Sequence, residues 1–242
     1  MKYTAILLLL PALLCAQEFE FQQEVDTIPV QIRDWYPFQP FFGGFSESAP
    51  GFCDIDSDGD LDLFVGQYQN SPIPYFENIG FPGNPNFSWE MGFNDSMKSI
   101  DDFGHTNPDF FDLDNDGDLD VLVGSGYVTF LENLGTITQP NFNSLRIQLF
   151  DTIGNWVFGT HISLFDIDAD GDGDLICGEY QGHLQFYRNV GTPDSFAFYL
   201  EDDNWLGLSV GNGDEADPTF CDIDVDGDYD LFIGEEEGNI WY

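Results

Sequence analysis

The chain has 242 residues, with 45 aspartates and glutamates against 5 lysines and arginines, so its formal net charge is −40 at pH 7. Such an acidic surface repels nucleic-acid phosphates and anionic lipid, and we expect neither as a partner. Aromatic residues make up 17% of the chain. Large side chains of this kind are needed between stacked β-sheets.

The first predicted element is a secretory signal peptide over residues 1–16. It has a lysine near its start and an apolar run at residues 6–14, which is too short to cross a bilayer but has the length of a signal sequence. We place the cleavage after Ala16, and lipidation through Cys15 is the weaker alternative. The sequence therefore predicts a secreted protein, extracellular or at the cell surface, without a membrane span.

An acidic motif then recurs four times within residues 17–242, which we predict to form one repeat array. The motif is Asp-x-Asp-x-Asp-Gly-Asp-x-Asp, and each copy is followed by an apolar run and a glycine. The copies begin 58, 54 and 56 residues apart, at residues 54–62, 112–120, 166–174 and 222–230. A period of this length indicates a fold made of repeated supersecondary units.

The spacing of the carboxylates predicts a cation in each copy. Five carboxylates within nine residues repel each other, and Ca²⁺ accepts six to eight oxygen ligands in flexible geometry. With Asp54 as position 1, the side chains at positions 1, 3 and 5 point inward, and Gly59 at position 6 permits a sharp turn. Position 7 would use its carbonyl and leave the Asp60 side chain facing water, while Asp62 at position 9 closes the loop as a bidentate ligand. An acidic turn without an ion is the alternative, but four copies in register favour the metal.

We therefore predict about four Ca²⁺ per chain, one in each loop, with oxygen ligands only. The predicted ligands are the aspartates at positions 1, 3, 5, 7 and 9 of every copy: Asp54, Asp56, Asp58, Asp60, Asp62, Asp112, Asp114, Asp116, Asp118, Asp120, Asp166, Asp168, Asp170, Asp172, Asp174, Asp222, Asp224, Asp226, Asp228 and Asp230.

The residues around the loops indicate strands. An EF-hand loop requires a bidentate Glu at position 12, whereas this position is apolar in all four copies: Val65, Val123, Cys177 and Ile233. Runs of Val, Ile, Leu and Phe bounded by Gly are typical of strands, so each loop is predicted to join two strands. A third strand ending in Asn-x-Gly and a fourth strand follow in the better preserved copies. Four strands per repeat is the composition of a propeller blade.

The segment Pro50-x-Phe52-x-Asp54, ending at Gly66, and its three relatives resemble the FG-GAP/VCBS repeats of integrin α-subunits and of many secreted bacterial proteins. The resemblance implies an all-β chain, a β-propeller of four-stranded blades with Asp-rich calcium loops, and it implies calcium ligands at positions 1, 3, 5, 7 and 9. Propellers of this family usually have about seven blades, so we expect these four repeats to be part of a larger propeller. The alternative is a closed four-bladed propeller in which residues 17–24 pair with residues 239–242.

Two further expectations concern departures from the repeat. Gly173 stands at position 8 of the third loop, where the other copies have Leu or Tyr, and we expect it to loosen local packing there. Cys53 and Cys221 precede the first Asp of their loops, where the other copies have Phe. We therefore interpret these two cysteines as apolar core residues and not as disulfide partners or metal ligands.

No catalytic constellation is visible in the sequence, so we do not expect an enzyme. His105, His161 and His183 fall at unlike places in their repeats, which favours surface or hydrogen-bonding roles. Nucleophile-elbow, zinc-protease and Walker motifs are all missing from the sequence.

Two functions remain possible from the sequence. The first is a secreted, calcium-binding module for adhesion or for binding an extracellular protein or glycan, with exposed aromatics that include Trp35, Trp89, Trp156 and Trp205. The second is the propeller part of an extracellular polysaccharide-degrading enzyme. A basic cluster or a pair of carboxylates in the central channel would favour the enzyme.

Overall fold

The structure is a computed structural model that describes residues 30–31, 48–68, 73–81, 84–90, 105–143, 145–192, 194–211, 215–224, 226–236 and 238–242. The predicted signal peptide at residues 1–16, the segment 17–24 and Trp35 lie outside these ranges. The domain limits that we set at residues 16 and 17 therefore stay a prediction.

The described chain is all-β, as predicted. Its single short helical element is a 3₁₀ turn at Trp205–Gly207. The strands are β1 Val30–Gln31, β2 Ala49–Cys53, β3 Asp62–Gly66, β4 Tyr75–Asn78, β5 Phe87–Glu90, β6 Asn107–Phe111, β7 Asp120–Leu131, β8 Ile147–Gln148, β9 Phe158–Gly159, β10 His161–Phe165, β11 Asp174–Gly178, β12 Leu184–Asn189, β13 Phe198–Asp202, β14 Asp217–Cys221, β15 Asp230–Gly234 and β16 Ile240–Trp241.

These strands form four small sheets arranged as a four-bladed β-propeller. The orders are β1-β5-β4-β3-β2 in the first blade and β6-β7-β8 in the second, where β9 also pairs with β7. The third blade has the order β10-β11-β12-β13 and the fourth has β14-β15-β16. Antiparallel pairing predominates, and β1 with β5 is the parallel exception. Membership of a larger propeller stays a prediction.

Each Asp motif joins two adjacent antiparallel strands of its blade, β2 to β3, β6 to β7, β10 to β11 and β14 to β15, in the same register. The residue before the motif pairs with position 9 in every blade, as Cys53 does with Asp62 in the first. In the second blade, β7 contains both the second and the third predicted strands. The backbone of Asn133, just beyond β7, donates a 2.7 Å hydrogen bond to Asp120 at its start. The chain therefore reverses inside β7, where Gly126 has a φ of 90°.

Most of the hydrophobic core lies between successive blades, and a smaller cluster lies within the first blade. One cluster joins the first blade to the second, with the rings of Phe64 and Phe110 4.5 Å apart between centroids. A second cluster joins the second blade to the third through residues such as Leu122 and Leu175, and a third cluster around Ile176 joins the third blade to the fourth. This stacking of sheet faces buries the apolar runs that follow the Asp motifs.

In the first three blades, the glycine after the apolar run is required by close approach of the next blade. A Cβ atom on Gly66, Gly124 or Gly178 would lie 1.8, 2.5 or 1.8 Å from a backbone oxygen of the following blade. Gly234 of the fourth blade has no such neighbour among the described residues, and its nearest contact would be Asp217 of its own blade. Consistent with this difference, the Phe52 side chain of the first blade is 55% exposed, whereas its counterpart Phe110 is 9% exposed.

The expectation about Gly173 was wrong. A Cβ atom at this position would lie 2.8 Å from the ring of Phe111 in the second blade. The missing side chain therefore permits close packing between two blades instead of loosening it.

Candidate metal centre

The aspartate at position 1 fixes the backbone of each loop. In the first loop, Asp54 accepts hydrogen bonds from the backbone N–H groups of Asp58 at 3.0 Å and Gly59 at 3.1 Å. The same pair of bonds recurs in the second, third and fourth loops. Four copies of one motif thus produce four copies of one loop conformation.

Two positions of the loop lie in the left-handed region of backbone space. Position 6 is Gly in every copy, with φ between 96° and 98°. Position 4 also has a positive φ, 58° at Ser57 and 57° at Asn115. Glycine adopts such angles without steric cost, which explains its presence at the sharpest part of the turn.

This turn brings the aspartates at positions 1, 3 and 5 together. In each loop, one carboxylate oxygen from each of these three residues lies within 4.8 Å of the other two, as for Asp54, Asp56 and Asp58. The structure therefore assembles the inner part of the predicted site four times. Oxygen donors at this spacing fit a hard divalent cation such as Ca²⁺.

Position 7 differs from the expectation. The Asp60 and Asp118 side chains are only 7% and 5% exposed, so they do not face water, and our prediction for Asp60 was wrong. One oxygen of each, together with Asp172 Oδ1 in the third loop, is buried without a hydrogen-bond partner among the described residues. Such unpaired buried carboxylate oxygens are costly in a folded protein, and a bound cation would satisfy them. Asp228 of the fourth loop is exposed.

The aspartate at position 9 connects the loop to the third strand. Asp62 is buried and accepts hydrogen bonds from the backbone N–H groups of Asn78 at 2.7 Å and Ile55 at 3.3 Å. Each carboxylate oxygen keeps a second lone pair that can bind a metal. Position 9 lies outside the group formed by positions 1, 3 and 5, so its role as a bidentate ligand stays a prediction.

Burial and mutual repulsion disfavour ionisation of these carboxyl groups when no cation is present. Burial is the main cause that raises the pKa of Asp62 and Asp120 to about 7 and that of Asp118 and Asp172 to about 6. Negative charges on neighbouring aspartates raise these pKa values further. A bound divalent cation would reverse the preference, because it stabilises the ionised form.

The asparagine of the Asn-x-Gly motif supports the loop, a role that the sequence analysis missed. Asn78 donates from its side chain to the carbonyl of Leu61 at position 8, at 3.3 Å. Its side-chain oxygen accepts from the backbone of Gly80 and Asn86. The equivalent Asn133 makes the same contacts in the second blade. The recurrence of Asn-x-Gly after the acidic motif, at Asn78, Asn133 and Asn189, was the signal that could have revealed this role.

The third loop has an additional cationic partner. The guanidinium of Arg188 on β12 forms ion pairs with Asp168, at position 3 of the loop, and with Glu201 on β13. Asp168 is one of the three residues whose carboxylates converge in this loop. One of the predicted calcium ligands therefore already pairs with a positively charged side chain of the protein.

The predicted core cysteines and exposed tryptophans are only partly confirmed. Cys53 is buried, as expected for a core residue, whereas Cys221 is exposed, and both are free thiols. Trp156 is exposed as predicted, but Trp205 packs against the core between the third and fourth blades. The exposure of Trp89 is outside what the structure describes.

The structure also brings together two histidines that the sequence analysis treated separately. The rings of His105 and His161 lie 6.5 Å apart, and His161 Nε2 lies 3.1 Å from a carboxylate oxygen of Glu215. His183 belongs to a different place, where its backbone bridges to Ser209. Among the described residues, no helix has the length and apolar character needed to span a bilayer.

Comparison with known protein families supports the repeat assignment. Residues 54–123 match the family described as FG-GAP-like repeat. The matched range includes the first two Asp loops, so the predicted resemblance is confirmed for this part of the chain, which lies in the first two blades of the β-propeller. No curated protein matches the chain.

Proposed function

We propose that this chain is a secreted, calcium-binding β-propeller that acts as an adhesion or ligand-binding module for an extracellular protein or glycan. The repeat family and the propeller fold support a ligand-binding module. The convergence of three carboxylates in each of four loops, beside buried and unpaired aspartate oxygens, is the observation that carries the calcium assignment.

Calcium in this proposal is structural. Each loop joins two adjacent strands of its blade, so an ion there ties together the sheet residues that pack between blades. The excess of acidic residues suits a calcium-rich extracellular setting, and the apolar run at residues 6–14 supports secretion.

The test is a calorimetric titration of thoroughly decalcified protein with Ca²⁺. We expect about four equivalents, one for each loop whose carboxylates converge. A glycan array and a pull-down from surface extracts, both in calcium, then test the ligand-binding role. Protein that takes up no calcium at millimolar concentration would refute the proposal.

A polysaccharide-degrading enzyme is the second candidate, and one observation favours it. Glu215 and Asp217 both line a cavity together with His105 and His161, and paired carboxylates can act as acid and base in glycoside hydrolysis. The assay is release of new chain ends from acidic and neutral polysaccharides by calcium-loaded protein. Activity that is lost in Glu215→Gln and Asp217→Asn would support the enzyme. No release of chain ends from any substrate would exclude this candidate in favour of the binding module.

A further inference from the structure

The innermost strands of the four blades converge on one cavity at the same end of the propeller. The cavity has a volume of about 550 Å³ and is lined by Ala49 at the start of β2, His161 at the start of β10 and Asp217 at the start of β14. The second blade contributes His105, two residues before β6. All four blades therefore contribute to this cavity, which we call the channel cavity.

The wall of the channel cavity is strongly acidic. Glu215, Asp217, Glu235 and Glu236 all line it, and the described lining residues include no lysine or arginine. A concave surface with charges of one sign concentrates its field inside the cavity. The cavity therefore favours a cationic ligand over a neutral or anionic one.

A histidine lies beside two of these acids. His161 Nε2 is 3.1 Å from Glu215, and its Nδ1 is 3.6 Å from Asp217. His161 is itself mostly buried, whereas both carboxylates keep part of their surface accessible. The imidazole thus holds Glu215 by a hydrogen bond and lies beside Asp217, and both carboxylates remain available to a ligand.

The positions of the acidic residues in the channel cavity fit an organic cation better than a metal ion. Within the described part of the chain, the groups of three acidic, histidine or cysteine side chains that are close enough to share one ion are the four Asp loops. The acids of the channel cavity are spread over its wall and do not form such a group. An extended cation with several N–H donors matches this spread of acceptors better than a compact ion does. The exposed ring of Tyr180, also in the lining, offers a face for cation–π contact.

We propose that the channel cavity binds an organic cation of the protonated primary amine class. Glu215 and Asp217 pair with one charged nitrogen, and Glu235 and Glu236 of the fourth blade face the remainder of the ligand. This inference gives a ligand class for the module proposed above and therefore rests on that proposed function. The same chemistry occurs in free diamines and in lysine side chains of a protein partner.

The experiment is a calorimetric titration of calcium-saturated protein at physiological ionic strength. One probe is 1,5-diaminopentane and the other is Nα-acetyl-lysine amide, which represents the lysine of a protein. We expect one equivalent of at least one probe. Tighter binding of the diamine indicates a free polyamine as the ligand, and tighter binding of the blocked lysine indicates a protein side chain. Saturation by neither probe at about ten millimolar, weaker than the usual range of specific complexes, would overturn the proposal.

Two variants locate the binding site. Glu215→Gln should weaken binding about tenfold or more, because it removes a charge-assisted hydrogen bond. Glu236→Gln alters an exposed lining residue and should weaken binding less, which keeps the test valid if the first variant unfolds. Asp203→Asn is the matched control, because Asp203 is exposed and lies outside the lining. Equal weakening by the control would show non-specific attraction to an acidic surface and would refute the site.

The calcium titration separates the two proposals. Protein that binds calcium in its four loops but neither probe contradicts the channel site alone. Protein that binds no calcium contradicts the proposed function itself.

Discussion

The second and fourth blades carry the same acidic motif in different surroundings. In the second blade, Asp120 at position 9 is buried and accepts hydrogen bonds from the backbone of Asn133 and Leu113. In the fourth blade, Asp230 is only partly buried. Its Oδ1 accepts a hydrogen bond from the Tyr242 hydroxyl, whereas Oδ1 of Asp120 accepts from the backbone of Asn133. The motif thus determines the conformation of the loop, and the rest of the blade determines how firmly that loop is held.

The neighbouring blade adds to this difference. Asp109 of the second blade accepts a 2.6 Å hydrogen bond from the backbone of Leu164 in the third blade. The equivalent residue in the fourth blade is Thr219, for which the structure shows no hydrogen bond of this kind to another blade within the described residues. Stability is therefore expected to be uneven across four loops whose sequences are nearly identical.

Removal of calcium should have the largest effect and should expose this unevenness. Chelation leaves clustered negative charges in every loop, and an ion that binds only the folded state stabilises it. We expect the melting temperature to fall by more than about 10 °C. Amide exchange should accelerate more in residues 222–230 than in residues 112–120, because the second loop keeps its buried hydrogen bonds.

The control for this experiment is the readdition of divalent ions. Ca²⁺ should restore the melting temperature, and Mg²⁺ should restore less of it because Mg²⁺ requires a smaller octahedral site. An unchanged melt in chelator would contradict a structural role for calcium.

Substitution at position 9 compares the two blades directly. Asp120→Ala leaves two buried N–H groups, of Asn133 and Leu113, without their acceptor, and each such group costs about 1–3 kcal/mol. We expect a loss of about 3–4 kcal/mol of unfolding free energy for Asp120→Ala and about 1–2 kcal/mol for Asp230→Ala. Urea unfolding in saturating calcium measures both, and equal losses would show that the surroundings of the loop do not matter.

Much of the fold and of the inner site was predictable because both depend on local, repeated signals. The period of the Asp motif, the apolar runs and Gly at position 6 determine the hairpins and the turn that brings together side chains such as Asp54, Asp56 and Asp58. These features involve residues that are close in sequence, where spacing is a reliable guide to geometry.

The remaining features depend on contacts between distant residues. The burial of Asp60 depends on how its loop is covered, and the close packing at Gly173 depends on Phe111 of another blade. The channel cavity joins His105 to Glu215, which are far apart in sequence and occupy unlike places in their repeats. A motif search along one repeat contains no information about such contacts.

The contact between the second and third blades should make stability depend on pH. Burial raises the pKa of Asp109 to about 6, above the ordinary value of about 3.9 for an unfolded chain. The folded state therefore binds more protons between these two pKa values, and its stability falls as pH rises from about 4 to about 6. For this one group, the loss reaches about 3 kcal/mol above pH 6.

Asp109→Asn removes the titrating group and should flatten this part of the stability curve. The measurement is urea unfolding at several pH values in saturating calcium, which keeps the loop carboxylates ionised. The slope is the test, because loss of one acceptor lowers the absolute stability of the variant at every pH. A curve parallel to that of the unsubstituted protein would show that Asp109 does not titrate in this range.

The smallest predicted effect separates the third loop from the other three. Arg188 pairs with Asp168, a predicted calcium ligand, and with Glu201. Calcium must compete with this guanidinium for Asp168 and is also repelled by its charge. We therefore expect the third loop to bind Ca²⁺ more weakly than the second loop, by up to about fivefold, since exposed ion pairs contribute up to about 1 kcal/mol.

Arg188→Gln should remove this difference, and Glu201→Gln should increase it because Arg188 then has one acceptor fewer and remains with Asp168. A calcium titration followed by amide exchange reports residues 166–174 separately, and the other three loops serve as internal controls in the same sample. The midpoint for the third loop should move to lower calcium in Arg188→Gln while the other midpoints stay in place. A midpoint that stays unchanged in both variants would show that Asp168 pairs with Arg188 without any cost to calcium binding.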